Sequence, residues 1–381
     1  MIAERYLDWA ETAPQHMRAE AAGALARSYI FDELDAETRS DVEQVLTRVL
    51  DDAAISVRCA IAEALAPSPD APYSVMLSLA QDAPDVAEPV LSRSPLLGDL
   101  DLVDLVAVGG PRAQIAVAGR RLLNAPVAAA LAEVGCAQAC EAMLNNDSAW
   151  LTPSAIAAIA RRHGHDGPVR DALLKRSDLT AETRQLVMRS VADALAAFVS
   201  GCGWLAADRA RRTADEACDR GVIAIAASTE DAGRFVRHLA KLGQFTPTLA
   251  LRSVLSGDLA LFETALAALS GQAPQRVAGF VRDFEGRGFA AVYAEAGLPT
   301  SALPAFRAAL AAGREFGFAA SGATHAALSR RMVERALTAC QGADIEVGPL
   351  RTLLRRFATE AARDEARRSY PGEQAQVAQA A

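Results

Sequence analysis

Chemistry in this chain would have to come from few residues. His163 and His165, with Asp166 beside them, are its paired histidines. A zinc site needs at least a third protein ligand at workable geometry, and the glycine-rich stretch around them does not force two rings to converge. Ser200-Gly201-Cys202-Gly203-Trp204 sets a thiol between glycines. A cysteine attacks only as a thiolate beside a basic partner, and none is assignable, so the stretch reads as a helix-linking turn with a packed tryptophan. Cys136 and Cys140 fall one helical turn apart, two ligands short of a zinc site, and read as small core side chains. No HExxH, GxSxG, Walker loop or strand-borne GxGxxG occurs. The expectation is a chain without catalytic residues, metal or cofactor.

Charged clusters offer binding chemistry instead. Arg120, Arg121, Arg161, Arg162 and His163 come from the ends of adjacent predicted hairpins. On one face they would form a basic spot for a carboxylate or phosphate; otherwise they are solvated charges bridging to nearby Asp and Glu. Arg252 and Arg276 are candidates for a small anion such as a nucleotide, against salt bridges inside a helical bundle. Arg351, Arg355, Arg356, Arg363 and Arg367 follow helical spacing and would suit an acidic partner, including the acidic front of a second copy.

The elements that must position these residues are helices. A composition of 51% hydrophobic and 5% aromatic residues, with abundant alanine, favours closely approaching helices over a sheet. Proline recurs in Ala66-Pro67, Ser94-Pro95, Ala125-Pro126 and Thr152-Pro153, in steps of 28, 31 and 27 residues. A period of roughly 30 residues marks stacked helical hairpins, because one hairpin cannot bury its own apolar face. The fold class expected is therefore all-α, an α-solenoid of short hairpins followed by an irregular helical domain. The glycine-rich stretch after His163 places the domain boundary, giving an array with an amino-terminal cap over 1–165, a helical domain over 166–370 and a disordered tail over 371–381. Beyond 166 the pattern predicts helices over 180–199, 205–220, 231–242, 247–255, 259–269, 274–284, 289–296, 303–312 and 348–368, with Gly271 and Gly297 as stops.

The net charge of −8 is unevenly spread: residues 1–150 carry 10 Lys and Arg against 23 Asp and Glu, and the remainder 29 against 24. An acidic front disfavours nucleic acid as its partner. The amino end lacks the pattern of a signal peptide, and the apolar run from Val222 to Ala227 falls far short of the ~20 residues that span a bilayer. With six scattered cysteines, this points to a reduced, cytoplasmic setting without membrane contact.

Two local patterns carry a resemblance. Leu50-Asp51-Asp52, Val57-Arg58, Ala60-Ile61-Ala62 and Ala64-Leu65 resemble a short HEAT-type repeat. Leu242-Gly243-Gln244-Phe245-Thr246-Pro247, Leu251-Arg252, Ser256-Gly257-Asp258-Leu259, Phe262, Arg276-Val277, Gly288-Phe289, Tyr293, Ala296-Gly297-Leu298-Pro299, Phe306 and Arg307 are similar to an alphaproteobacterial family of HEAT-like proteins classed as a domain of unknown function. The resemblance implies a helical fold, an aspartate capping the second helix of each early hairpin, a buried valine beside the arginine, and an interaction role. It supplies no active site. The expected function is a non-enzymatic scaffold binding a protein or peptide through the face lined by second helices, at Arg58, Glu63, Glu88 and Arg112 together with the basic spot, and able to dimerise through the carboxyl-terminal helical domain. Alternatives are a signalling module for a small anion and an enzyme on a HEAT-like scaffold.

Overall fold

In the computed structural model, the described residues are 6, 8–257, 259–316, 323–339 and 348–369. The expected tail at 371–381 lies outside them, as do Asp258 and Cys340. The described residues are all-α and contain no β-strand, only an isolated parallel bridge between Leu123 and Ala149. The chain forms two compact units, 1–194 and 195–381.

The first unit contains α1 (Gln15–Phe31), α2 (Ala36–Val49), α3 (Ile55–Leu65), α4 (Tyr73–Ala80), α5 (Pro84–Arg93), α6 (Asp99–Val108), α7 (Pro111–Ala118), α8 (Ala125–Val134), α9 (Ala137–Leu144), α10 (Pro153–His163) and α11 (Gly167–Leu174), with the unit boundary falling within α12 (Ala181–Gly201). Each odd-numbered helix from α1 to α9 packs on the next odd one, while α6, α8 and α10 pack in series as a second layer. Between the layers runs one apolar core, including Val57, Ile61, Leu79, Val90, Val117, Leu131, Met143 and Ile159. Individual helices are short and would be marginal alone; packing of their apolar faces sustains them.

Helix starts follow local rules. Pro84, Pro111, Pro126 and Pro153 sit at first or second helical positions, where a missing N–H costs nothing. Thr152 Oγ1 accepts from Ala155 N, and Asp166 Oδ1 from Val169 N. The near-even proline spacing therefore mixes two roles: Pro126 and Pro153 open α8 and α10, whereas Pro67 and Pro95 lie two residues beyond α3 and α5. The turn from Gly164 to Asp166 does not divide the molecule, because α11 packs on α9 and α10 and carries the first unit past the expected boundary at 165.

Successive hairpins are tied by hydrogen bonds onto helix ends. The last carbonyls of a helix have no intrahelical donor and carry partial negative charge. Arg120, two residues past α7, donates to Leu91 O and Ser94 O at the end of α5. Asn146, two past α9, donates to Ala118 O and Arg120 O at 2.9 and 2.8 Å. Arg176, two past α11, reaches Leu144 O at 3.5 Å. In the second layer, Arg162 in the last turn of α10 donates to Ala132 O and Gly135 O at 2.7 and 3.0 Å, closing α8.

The second unit contains α13 (Ala207–Ala227), α14 (Ala232–Lys241), α15 (Pro247–Leu255), α16 (Leu259–Ser270), α17 (Pro274–Arg282), α18 (Arg287–Glu295), a 3-10 turn (Thr300–Ala302), α19 (Leu303–Phe316), α20 (Ala323–Ala339) and α21 (Gly348–Ser369). Gly271 and Gly297 end α16 and α18 with φ of 71° and 75°, a left-handed conformation costly for residues with a Cβ. The core here is aromatic: Phe262 stacks on Phe306 at 5.4 Å, and Tyr293 meets Phe306 edge-on at 5.2 Å. Arg307 repeats the helix-end device, donating from Nε to Phe284 O at 2.9 Å.

Removing one of these ties should be felt as lost stability. We expect Arg120→Ala to destabilise the first unit by about 2 kcal/mol, since it strips a charged donor from two carbonyls, while Arg121→Ala next to it stays within about 0.5 kcal/mol. Urea unfolding followed by circular dichroism checks this; equal midpoints for the two variants would contradict it.

Candidate functional site

The sequence-predicted binding residues of the first unit are largely engaged within the fold. Arg58, on α3, places Nε and Nη2 on the two carboxylate oxygens of Asp82 at 2.6 and 2.8 Å, and also donates to Asp52 O. One hairpin earlier, Arg18 on α1 grips Asp52 in the same two-pronged way at 2.8 and 2.9 Å. These turn aspartates do not cap the following helix as the family resemblance implied. The α3 N-cap is Ala54, whose N–H donates to Asp52, and the carboxylate's remaining capacity goes to the arginine of the preceding hairpin. Val57, beside Arg58, is buried as implied.

Glu63 pairs with Arg93, and Arg112 joins Asp85 and Glu88 at 2.6 and 2.7 Å. These pairs are exposed and link α3 to α5 and α5 to α7. Of the expected basic spot, Arg120 and Arg162 turn inward to helix ends on different layers, and His163 Nε2 lies 3.1 Å from Gly135 O. Arg121 and Arg161 are exposed. Burial pushes the Cys140 thiol up to about 11, and among the described residues no three His, Cys, Asp or Glu side chains converge as metal ligands. Trp204 is not packed as expected: it is 69% exposed, edge-on to Phe198 at 5.7 Å, and follows Gly203, whose φ is 71°.

What sequence reasoning missed in this unit is an apolar row. Tyr73, Leu100, Leu122 and Trp150 are 47%, 82%, 79% and 71% exposed. Each stands at, or just ahead of, the start of an even-numbered helix. Bonds between successive starts put them on one edge: Tyr73 Oη donates to Asp101 at 2.7 Å, Asn124 Nδ2 to Asp99 at 3.0 Å, and Trp150 N to Leu123 O at 2.9 Å. Asp70, Asp104 and Asp147 are exposed nearby in sequence. Alternation alone could not reveal this row, since each residue reads locally as the first apolar position of a helix.

The second unit holds two adjoining cavities. Arg252 on α15 is 6% exposed, its guanidinium 4.4 Å over the Phe357 ring. Nη1 donates to Glu360 at 2.8 Å; Nε is 3.8 Å from Asp219, too far for a hydrogen bond, and among the described residues no hydrogen-bond acceptor meets Nε or Nη2. Arg252 borders a cavity of about 170 Å3 walled by Ile223, Leu255, Val333 and Phe357. Arg220 and Glu360, themselves ion-paired, separate it from a larger cavity of about 560 Å3 between α13 and α21. Arg209, Arg212, Arg356 and Arg363 line the latter, and Arg356 pairs with Glu216. Arg209, Arg212 and Arg363 form no ion pair among the described residues. Arg276 lies elsewhere, 5.5 Å over Phe280 on α17, and borders neither cavity. Helical spacing marked Arg356 and Arg363; the facing Arg209, Arg212 and Arg220 needed the fold, since α13 and α21 are far apart in the chain.

Fold and site together define an all-helical protein, many of whose motif residues serve its core and helix ends. The chain belongs to the family described as "Uncharacterised protein conserved in bacteria (DUF2336)", which matches residues 86–346. No curated protein matches it, and no solved structure does. Among the residues that carried the family resemblance, Phe262, Phe289, Tyr293 and Phe306 build the aromatic core, and Arg307 closes α17.

The arginine pairs hold the Asp52 and Asp82 carboxyls below the ordinary carboxylate value of 3.8. A depressed folded-state pKa contributes stability that is full above the unfolded value and is lost as pH falls through the lowered one. Asp82→Asn should therefore be less stable than wild type at neutral pH and show a smaller further loss between about pH 5 and pH 2, read as urea midpoints against pH. Parallel curves would exclude this pair as a source of acid sensitivity.

Proposed function

We propose that the protein is a non-enzymatic adaptor whose first unit holds a segment of another protein along the edge where the even-numbered helices begin. The observation that carries this reading is the row Tyr73, Leu100, Leu122 and Trp150, apolar and exposed near the starts of successive even-numbered helices. Single exposed apolar residues are ordinary, but a repeated row is how stacked-hairpin folds offer a long contact surface. Exposed Asp70, Asp104 and Asp147 and the acidic balance of residues 1–150 favour a partner segment that alternates apolar with basic side chains.

Arg58, Glu63, Glu88 and Arg112 are secondary in this reading, because a partner reaching them must displace ion pairs already made. Among the described residues no helix is long and apolar enough to cross a membrane. The cytoplasm is the setting we propose, supported by the free thiols of Cys59, Cys136, Cys140, Cys202 and Cys218.

The test is affinity capture from the native host with wild type and with Leu122→Asp/Trp150→Ala, followed by mass spectrometry and direct binding of the recovered partner. Both substituted side chains are exposed, so the double variant should melt as wild type does. Its affinity for the partner should fall at least tenfold, and identical capture by both proteins would defeat the proposal.

A further inference from the structure

We infer that the second unit binds a small soluble molecule carrying two or more phosphates, with the phosphates in the arginine-lined cavity and the rest of the molecule in the adjoining apolar one. Among the described residues, five guanidinium groups line the larger cavity against the two carboxylates Glu216 and Glu360, leaving three positive charges in excess. Both carboxylates are already held, by Arg356 and Arg220, so the excess resides on Arg209, Arg212 and Arg363. Their placement is not incidental to one helix. Positions 209, 212, 216 and 220 share a face of α13, and positions 356, 360 and 363 share the facing side of α21.

The ligand class follows from the charge and the room. One carboxylate would neutralise a single arginine, whereas a di- or triphosphate brings several charges and enough oxygens for forked guanidinium contacts at once. About 560 Å3 is ample for such a group and lies in the range of small-ligand sites.

Arg252 supplies an independent observation. Buried donors without acceptors are rare in folded proteins, yet this guanidinium, held flat against Phe357 beside the smaller cavity, has two such nitrogens. A ligand ring carrying carbonyl or ring-nitrogen acceptors would meet both the apolar wall and those donors. A nucleoside di- or triphosphate has this combination, a ring with acceptors joined to a string of phosphates.

Calorimetric titration of the full chain with inorganic tripolyphosphate, ATP and GTP tests the inference. All three should bind at low salt, at least one nucleotide more tightly than tripolyphosphate, and added salt should weaken all of them. Arg209→Ala/Arg212→Ala/Arg363→Ala should weaken every probe at least tenfold while leaving the melting temperature of the free protein near wild type, since these side chains form no ion pair among the described residues. Arg276→Ala should change nothing. No binding of any probe by wild type, unchanged binding by the triple variant, or binding of a single-stranded oligonucleotide without binding of either mononucleotide would each overturn it. Nucleotides no tighter than tripolyphosphate would remove the role of the apolar cavity and Arg252. None of these outcomes bears on the adaptor reading, which rests on the first unit.

Discussion

The first unit depends on donors that reach back to the unsatisfied carbonyls of an earlier helix. Short helices expose a large share of their backbone as ends, so a unit in which α1 to α11 have 8 to 17 residues each must answer that cost repeatedly. Arg120, Asn146 and Arg176 answer it from one register, two residues past the helix that follows in the same layer, and Arg162 does so in the other layer. Each bond satisfies an acceptor and fixes the offset between hairpins. Toward the amino end the same task falls to side-chain pairs, Arg18 with Asp52 and Arg58 with Asp82.

This economy shapes where function can reside. Much of the charge on α3, α5 and α7 is spent on neighbouring helices, while the edge at the starts of the even-numbered helices keeps apolar area exposed. The second unit solves its packing differently. It has an aromatic core of Phe262, Phe289, Tyr293 and Phe306, and five arginines line the cavity between α13 and α21. Two units with opposite charge balance thus present two kinds of chemistry, an apolar acidic edge and a cationic cavity.

Helix type and placement were legible because punctuation is local. Pro247 and Leu255 bound α15 as expected, and Thr246 and Asp231 cap α15 and α14 through their own side chains. The helix at Ala323–Ala339 was not anticipated, for it has neither a proline start nor a glycine stop to announce it. The boundary was misplaced because a glycine-rich turn looks alike whether it parts two domains or two helices; only the packing of α11 decides. For the binding surfaces the limit was different. Arginines could be found by type, but whether a guanidinium faces a carbonyl, a carboxylate or an open cavity depends on contacts such as those spanning 23 to 140 positions of chain.

The position two residues past the helix is proline after α3 and α5 and a hydrogen-bond donor after α7, α9 and α11. A carbonyl is furnished by every amino acid, so the receiving side of such a joint is blind to residue identity, and the joint can persist while almost every letter around it changes. That is why a periodicity obvious at the amino end fades from view by the fourth hairpin although the mechanical coupling does not: what repeats there is a single donor among neighbours left at liberty to drift.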